Sequence, residues 1–152
     1  MAEALLEVKN LRTFFKTRNG TVKAVNDVSY SIYPGRTLGI GGESGSGKSV
    51  TAMSVLRLLD ANGYIAGGTV TFAGQDLAKV STQEMYHIRG TRISVIFQEP
   101  MTSLNPVFSI RRQLSEPFMI HQNMGKKEAA QKCIEMLRAV QIPNPEAVAR
   151  QY

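Results

Sequence analysis

The sequence is poor in residues that carry redox or metal chemistry. It has one cysteine, two histidines and no tryptophan. A single cysteine cannot form an internal disulfide, and Cys133 falls at an apolar helical spacing, which predicts a small buried side chain. His87 and His121 lie far apart, with no cysteine or acidic cluster at ligand spacing, so we expect both on the surface and no zinc site.

Long apolar runs are also missing. No stretch approaches the roughly 18 apolar residues that a membrane helix needs. The first ten residues, MAEALLEVKN, do not place a basic region before an apolar one, as a secretory signal would. We therefore expect the chain to remain in the cytosol unless a partner holds it at a membrane.

The charge is positive but dispersed. The formal net charge is +6, from 18 basic and 12 acidic residues. Nucleic-acid binding usually concentrates basic residues on one face, whereas here they are spread along the chain. Phe14, Phe15 and Lys16 resemble a basic-aromatic platform, but adjacent strand residues point to opposite faces. Nucleic acid is therefore not expected as a partner.

The first part of the chain has the alternation and turns of an antiparallel β layer. Strand patterns cover residues 5–15 and 22–32, and Asn19-Gly20 between them is a strong hairpin signal. A further strand is predicted over residues 69–72, before a turn at Gly74. We assign residues 1–35 and 65–80 to this layer.

Short apolar strands and helices are predicted between and after these segments, over residues 36–64 and 81–99. Short apolar strands are predicted at 37–41 and 93–97, and a helix from Lys48 to Leu59. Ser81 and Glu84 form a capping box, which predicts a short helix. A parallel sheet usually has about five strands, so two candidates predict an incomplete α/β domain.

The last third, residues 100–152, is predicted to be a loop followed by helices. One helix ends before Pro143. Its predicted apolar face consists of Ala129, Ala130, Cys133, Ile134, Leu137 and Val140.

One motif predicts phosphate binding. Residues 42–49 read GESGSGKS, which matches the phosphate-binding pattern G-x-x-x-x-G-K-[ST] at every position. Glycines allow backbone N–H groups to surround phosphate oxygens, and the following helix N-terminus favours the same anion. Lys48 is placed to reach the β- and γ-phosphates, and Ser49 offers a hydroxyl to Mg²⁺. The predicted strand before the loop and helix after it are the expected context.

This loop occurs in kinases, GTPases and transport ATPases, and its neighbours distinguish them. The stretches AVNDVSYSIYPGRTLGIGGESGSGKS, GGTVTFAGQDL and VIFQEPMTSLNP are similar to the ATP-binding subunits of ABC transporters. The resemblance covers essentially the whole chain, and FQEPMTSLNP resembles importers of dipeptides, oligopeptides or glutathione. It implies an α/β P-loop NTPase (ABC ATPase) core with an N-terminal antiparallel β layer, and places the start of a helical arm at residues 100–152.

The resemblance also implies site residues, with ATP and Mg²⁺ as cofactors. Gln98 would contact Mg²⁺ and water and sense the γ-phosphate, and Phe15, with Phe14 as rival, would stack on adenine. Val50 stands where the family commonly has threonine, so only its backbone N–H would serve the α-phosphate. The implied nucleotide-binding set is Gly42, Glu43, Ser44, Gly45, Ser46, Gly47, Lys48, Ser49, Val50 and Phe15, and the implied metal ligands are Ser49 and Gln98.

The implied function is energising a peptide importer from the cytoplasmic face of the inner membrane. The partners would be transmembrane permease subunits and a second ATP-binding subunit, packed head to tail. The family's signature sequence, second carboxylate motif, catalytic glutamate and switch histidine would follow Tyr152, so we expect no catalytic residue in these 152 residues and no ATP hydrolysis by them alone.

Three alternatives remain: a non-catalytic nucleotide-binding module, a non-transport ABC ATPase acting on DNA or ribosomes, and a small-molecule kinase. The absence of heptads and of Cys-x-x-Cys disfavours the second, and the antiparallel segment before the loop disfavours the third.

Overall fold

The computed structural model describes residues 3–97 and 103–152. The chain divides into two compact units, Met1–Met85 and Tyr86–Tyr152. The strands are β1 (Leu6–Thr17), β2 (Gly20–Ile32), β3 (Gly63–Phe72) and β4 (Gln75–Asp76). The helices are α1 (Lys48–Val55), α2 (Thr82–Thr91), α3 (Ile110–Gln122), α4 (Lys126–Ala139) and α5 (Pro145–Val148). None of the helices in the described residues is long and apolar enough to cross a bilayer.

The first unit is built on an antiparallel sheet in the order β2-β1-β3-β4. The predicted hairpin at Asn19-Gly20 is confirmed: Thr17 pairs with Gly20, whose φ of 121° suits glycine. β3 begins at Gly63, six residues before the predicted strand, because it pairs with β1 along most of its length. Helix α1 packs against β1 and β2. The buried apolar residues of this unit are Val8, Leu11, Val25, Val55, Leu56, Val70, Phe72, Leu77, Val80 and Met85.

Both predicted parallel strands are wrong as strands. Residues 37–41 form no ladder with other described residues, and residues 93–97 contribute only an isolated bridge from Ile93 to Arg89. Leu38 and Ile40 are 41% and 50% exposed, and Ile96 is 97% exposed. An apolar β-branched pattern reports strand propensity, but a strand needs a hydrogen-bonding neighbour, which the described residues do not supply here.

Helix α1 ends four residues earlier than predicted. Val55 is its last residue, and Arg57 has a left-handed φ of 53°. The Arg57 guanidinium donates from Nη1 to the carbonyls of Leu77 (3.3 Å) and Val80 (2.8 Å). Periodicity could not show this reversal, because the carbonyls that hold Arg57 belong to a segment distant in the sequence.

The capping box that begins α2 is half confirmed. The Ser81 hydroxyl accepts from the backbone N–H of Glu84 at 3.1 Å. The Glu84 carboxylate does not return to Ser81, because it accepts from Gln75 Nε2 at 2.5 Å.

The second unit consists mainly of helices, with α3 packed on α4 and α4 on α5. Cys133 is fully buried as predicted, with Leu137 and Ala149 in the same apolar cluster. Burial raises the pKa of the Cys133 thiol, while the charge of Arg111 lowers it. Val140 was assigned wrongly to the apolar face: it follows the last residue of α4 and is 69% exposed.

Candidate functional site

Residues 42–47 form an irregular loop that leads into α1. Three of its glycines have positive φ: 155° at Gly42, 79° at Gly45 and 91° at Gly47. L-residues with side chains adopt such angles rarely, so the glycines of the motif are required by the path of the backbone. The loop is exposed as far as Ser46 and becomes half-buried at Gly47 and Lys48.

Gly47 is required for a second reason, its distance from strand β2. A Cβ at this position would lie 2.4 Å from the carbonyl oxygen of Ala24 and 3.7 Å from Val25 Cγ2. Backbone therefore approaches backbone with no room for a methyl group. The sheet and the phosphate loop are fixed to each other at this point, which brings the motif against the β1–β2 hairpin.

The Lys48 ammonium lies over its own loop. It donates to the carbonyls of Gly42 (2.7 Å) and Glu43 (2.6 Å) and contacts the Ser46 hydroxyl at 3.3 Å. These acceptors hold the positive charge at the mouth of the loop, where an anion would be bound. A phosphate could therefore meet this ammonium without a large movement of the side chain.

The first turn of α1 offers free hydrogen-bond donors. Gly47 caps the helix without a side chain, and the first intrahelical bond is Thr51 N–H to Gly47 O at 2.8 Å. The backbone N–H groups of Lys48, Ser49 and Val50 therefore have no acceptor within the helix. Free N–H groups and the positive end of the helix dipole form an anion site together.

Ser49 and Val50 lie in the first turn of α1, where the motif places the serine and the family resemblance places the valine. Ser49 is exposed, and its hydroxyl has no hydrogen-bond partner among the described residues, so it is free to meet a metal ion. Val50 has a backbone N–H in this turn, as a threonine would. A hard cation such as Mg²⁺ prefers oxygen ligands and retains several waters, so one serine hydroxyl beside phosphate oxygens suits it.

Two hydroxyl groups fix α1 to the sheet beneath it. Thr13 Oγ1 on β1 and Ser54 Oγ on α1 lie 2.7 Å apart, and both residues are buried. Ser54 Oγ also donates to Val50 O at 2.6 Å, and Thr51 Oγ1 donates to Gly47 O at 2.9 Å. Sequence reasoning missed these three residues, because a small polar residue within an apolar helical pattern is ambiguous without its partner.

Phe15, the candidate for adenine stacking, lies beside the turn that follows α1. A Cβ on Gly63 would lie 2.7 Å from Phe15 Cε1 and 3.2 Å from Leu59 Cβ, so the ring covers this glycine. Phe15 pairs with Val22, which is two residues, or about 7 Å along a strand, from the Ala24 that touches the loop. The ring therefore lies on the hairpin that adjoins the phosphate loop.

Phe14, the rival, is already engaged by its strand neighbours. Its ring meets Tyr64 edge to face at 6.2 Å, and Lys23 Nζ lies 5.8 Å from its centroid. A base stacking on Phe14 would have to compete with this lysine.

The remaining predicted site residue, Gln98, lies outside the described residues. The structure brings together Gly42–Val50 and places Phe15 on the adjoining hairpin. Glu43, the acidic residue of the loop, is exposed and accepts from Lys48 only through its backbone carbonyl.

A glycine loop around a lysine ammonium, followed by a helix with free N–H groups, defines a phosphate-binding P-loop. The sequence model of the protein family described as ABC transporter matches residues 25–151 of this chain. The chain belongs to that family.

Two relatives are similar to this chain over almost its whole length. The oligopeptide transport ATP-binding protein OppD of Escherichia coli (strain K12) is 48% identical over 151 residues, covering 99% of this chain and 44% of the relative. The putative peptide import ATP-binding protein BMEII0863 of Brucella melitensis biotype 1 is 44% identical over 156 residues, covering 99% and 46%. The chain spans a little under half the length of these relatives.

A solved structure confirms the fold class. The dimeric structure of MJ0796, a bacterial ABC transporter cassette, has a TM-score of 0.77 with 20% identity, over 96% of this chain and 60% of that one. The same cassette in a post-hydrolysis state bound to ADP and Pi gives the same TM-score. The predicted ABC ATPase fold is therefore correct, although the two segments expected as parallel strands are not strands in this chain.

Proposed function

We propose that the chain is the nucleotide-binding part of an ATP-binding subunit that energises a peptide importer. The observation that carries the proposal is the Lys48 ammonium over the glycine loop at the free N-terminus of α1. The peptide class is supported by the names of the relatives, which are described as oligopeptide transport and peptide import ATP-binding proteins.

In this proposal Gly42–Ser49 surround the β- and γ-phosphates of ATP. Lys48 exchanges its contacts with loop carbonyls for charge-assisted bonds to phosphate oxygens, which are stronger than bonds to neutral acceptors. The N–H of Val50 reaches the α-phosphate, and Phe15 stacks on adenine.

Ser49 and Gln98 are proposed to hold Mg²⁺. When bound, the ion would neutralise charge on the phosphate oxygens and fix their orientation. The Ser49 hydroxyl orients the ion from the first turn of α1.

The proposed partners are permease subunits in the inner membrane, on its cytoplasmic face, and a second ATP-binding subunit. The MJ0796 cassette is described as dimeric, which supports the second of these. Residues 100–152 are proposed to begin the helical arm that faces the permease. In the same proposal residues 1–35 and 65–80 form the antiparallel β layer, and residues 36–64 and 81–99 form the P-loop core.

We also propose that these 152 residues alone bind ATP weakly and do not hydrolyse it. Hydrolysis needs a carboxylate within hydrogen-bond reach of the attacking water, and a general base typically contributes about 10²–10⁴-fold. The family resemblance assigns that glutamate, and the opposing signature sequence, to segments that would follow Tyr152.

The phosphate-binding role is tested by Lys48→Ala. Mg-ATP binding by the complete subunit, measured by calorimetry, should fall at least about 100-fold, because several charge-assisted contacts are lost together. Lys127→Ala, an exposed lysine on α4, is the matched control and should bind as wild type. Equal binding by Lys48→Ala and wild type would remove the assigned role.

Phosphate release by the purified 152-residue chain separates a binding module from an ATPase. We expect no release above that of the Lys48→Ala variant, in contrast to the complete subunit. Turnover at the rate of the complete subunit, lost on Lys48→Ala, would contradict the proposal.

The permease-facing role is tested by charge reversal at Arg111 and Arg112 in the complete subunit. Both arginines lie at the start of α3, and their side chains reach the surface. Pull-down of the transmembrane subunits should fall while ATP binding is retained. Wild-type recovery of those subunits would remove this part of the proposal.

A further inference from the structure

The chain contains two Asn-Gly sequences, and the structure holds them differently. Asn19-Gly20 lies at the turn between β1 and β2, and Asn62-Gly63 lies at the start of β3. In an Asn-Gly sequence the backbone nitrogen of the glycine can attack the asparagine side chain, because no Cβ on the glycine obstructs a close approach. Both asparagines are exposed, so exposure to water does not distinguish the two sites.

Hydrogen bonds to Lys16 fix both the side chain and the backbone of Asn62. Asn62 Nδ2 donates to the Lys16 carbonyl at 2.9 Å, and the Asn62 carbonyl accepts from the Lys16 N–H at 2.9 Å. The Gly63 N–H donates to the Asp60 carbonyl at 2.8 Å. The amide that would react and the nitrogen that would attack it are therefore both engaged, and these bonds must break before a reaction can begin.

The space around the two glycines also differs. A Cβ on Gly63 would lie 2.7 Å from Phe15 Cε1, whereas a Cβ on Gly20 would meet no atom within 4 Å. A ring that closes onto the glycine nitrogen therefore has room at Gly20 and little room at Gly63.

Asn19 is held by fewer contacts than Asn62. Its side chain makes no hydrogen bond to any residue that the structure describes, and residues 16–23 are all exposed. Gly20 pairs with Thr17, whose hydroxyl also donates to the Gly20 carbonyl at 2.8 Å, but this is the last pair of the ladder. The exposed end of a hairpin opens at a lower free energy than the interior of a sheet, so the Gly20 nitrogen is released more often than the Gly63 nitrogen.

We propose that Asn19 is a site of spontaneous deamidation and that the fold protects Asn62. The Gly20 nitrogen loses its proton to water and bonds to Asn19 Cγ, and the Cγ–Nδ2 bond breaks. The proton is returned through the solvent to the leaving nitrogen, which departs as ammonia. The product is a succinimide ring, and the sequence of steps involves no oxidant or reductant.

Water then opens the succinimide ring in one of two ways. Breaking the bond between the Gly20 nitrogen and Cγ gives aspartate at position 19. Breaking the bond between the same nitrogen and the main-chain carbonyl carbon gives isoaspartate, which has one more carbon in the backbone. Either product adds a carboxylate to the turn, and the longer backbone of isoaspartate should disrupt the pairing of Thr17 with Gly20, because loop length determines the type of turn.

The test is incubation of the complete subunit in heavy-oxygen water at mildly alkaline pH. The protein is then digested in ordinary water, and the peptides that contain Asn19 and Asn62 are measured by mass spectrometry. A heavy oxygen in the new carboxylate separates conversion during incubation from conversion during digestion. Deamidation should be at least about tenfold faster at Asn19 than at Asn62, because the second site must first open.

Two controls separate the effect of the fold from that of the local sequence. In urea the two rates should converge, because glycine follows both asparagines. Asn19→Gln should abolish the conversion at position 19, since glutamine would have to close a larger ring, and should leave the rate at Asn62 unchanged. Equal rates in the folded protein, or protection of Asn19 as strong as that of Asn62, would overturn the proposal. A difference that persists in urea would also overturn it, because the selectivity would then belong to the sequence and not to the fold.

Discussion

The N-termini of α1 and α3 both follow irregular loops, but they differ in the hydrogen bonding of their first backbone N–H groups. At α1 the cap is Gly47, which has no side chain, and the N–H groups of the first turn are left open. At α3 the N–H groups of Ile110 and Arg111 donate to the carbonyls of Gln151 and Ala149, both at 2.8 Å.

The next N–H of α3, that of Arg112, is accepted by the Ser109 side chain at 3.4 Å. The second helix terminus is therefore satisfied by the protein itself, and the first is available to a ligand. A helix N-terminus becomes an anion site only where the fold leaves its donors unpaired.

The largest expected effect is at Gly47. Gly47→Ala should lower the free energy of unfolding by about 3 kcal/mol or more, because left-handed strain adds to the contact with Ala24 O. Gly45→Ala has a similar φ but no atom within 4 Å of its Cβ, and should cost only about 1–2 kcal/mol. Denaturant unfolding of both variants checks the difference. Equal losses would show that the approach to Ala24 is unimportant.

The glycine loop and the hairpin could be predicted from the sequence because each is a local pattern with one physical solution. A motif such as GESGSGKS specifies backbone angles within its own length, and Asn19-Gly20 specifies a turn by itself. Residues 37–41 failed as a strand because pairing depends on partners that periodicity does not encode. Arg57 was missed for the same reason: a long polar side chain looks like a surface residue until the carbonyls that it binds are known.

A smaller effect is expected beneath the phosphate loop, where Thr13 and Ser54 share a buried hydrogen bond. Ser54→Ala should destabilise by about 1–3 kcal/mol, because Thr13 Oγ1 loses its partner. The double variant Thr13→Val with Ser54→Ala should lose less than the sum of the single changes, since no unpaired hydroxyl remains. A double-mutant cycle measures this coupling, and strict additivity would contradict the bond.

At the closed terminus, Ser109→Ala removes the side-chain cap of α3. We expect a loss of about 1 kcal/mol in unfolding free energy, typical of N-cap replacement, and no change in ATP affinity. Gly47→Ala, by comparison, should lower both the unfolding free energy and the ATP affinity. Weakened ATP binding by Ser109→Ala would contradict the view that only the N-terminus of α1 serves the ligand.

The smallest effect concerns pH and α5, which precedes the carbonyls that cap α3. A hydrogen bond to its own backbone N–H, with help from the charges of Arg138 and Arg150 and against desolvation, lowers the pKa of the Glu146 carboxyl below its usual 4.5. A depressed carboxyl pKa gives stability that is present above the unfolded pKa and is lost as pH falls through the folded value. Glu146→Gln should therefore flatten the decline in unfolding free energy below about pH 4.5. An unchanged pH slope would show that ionisation of the Glu146 carboxyl contributes nothing to stability in this range.

The outer edge of β2 is a place where another strand could be added. Among the described strands β2 pairs only with β1, so one side of its 13 residues presents open backbone groups. Asp27, with a left-handed φ of 64°, and the irregular register between Val25 and Val28 interrupt that edge near its middle. A second copy of the chain could therefore extend the sheet over only a few residues on either side of Asp27. The Asp27 backbone angle and the irregular register beside it oppose growth of a continuous fibre from this edge.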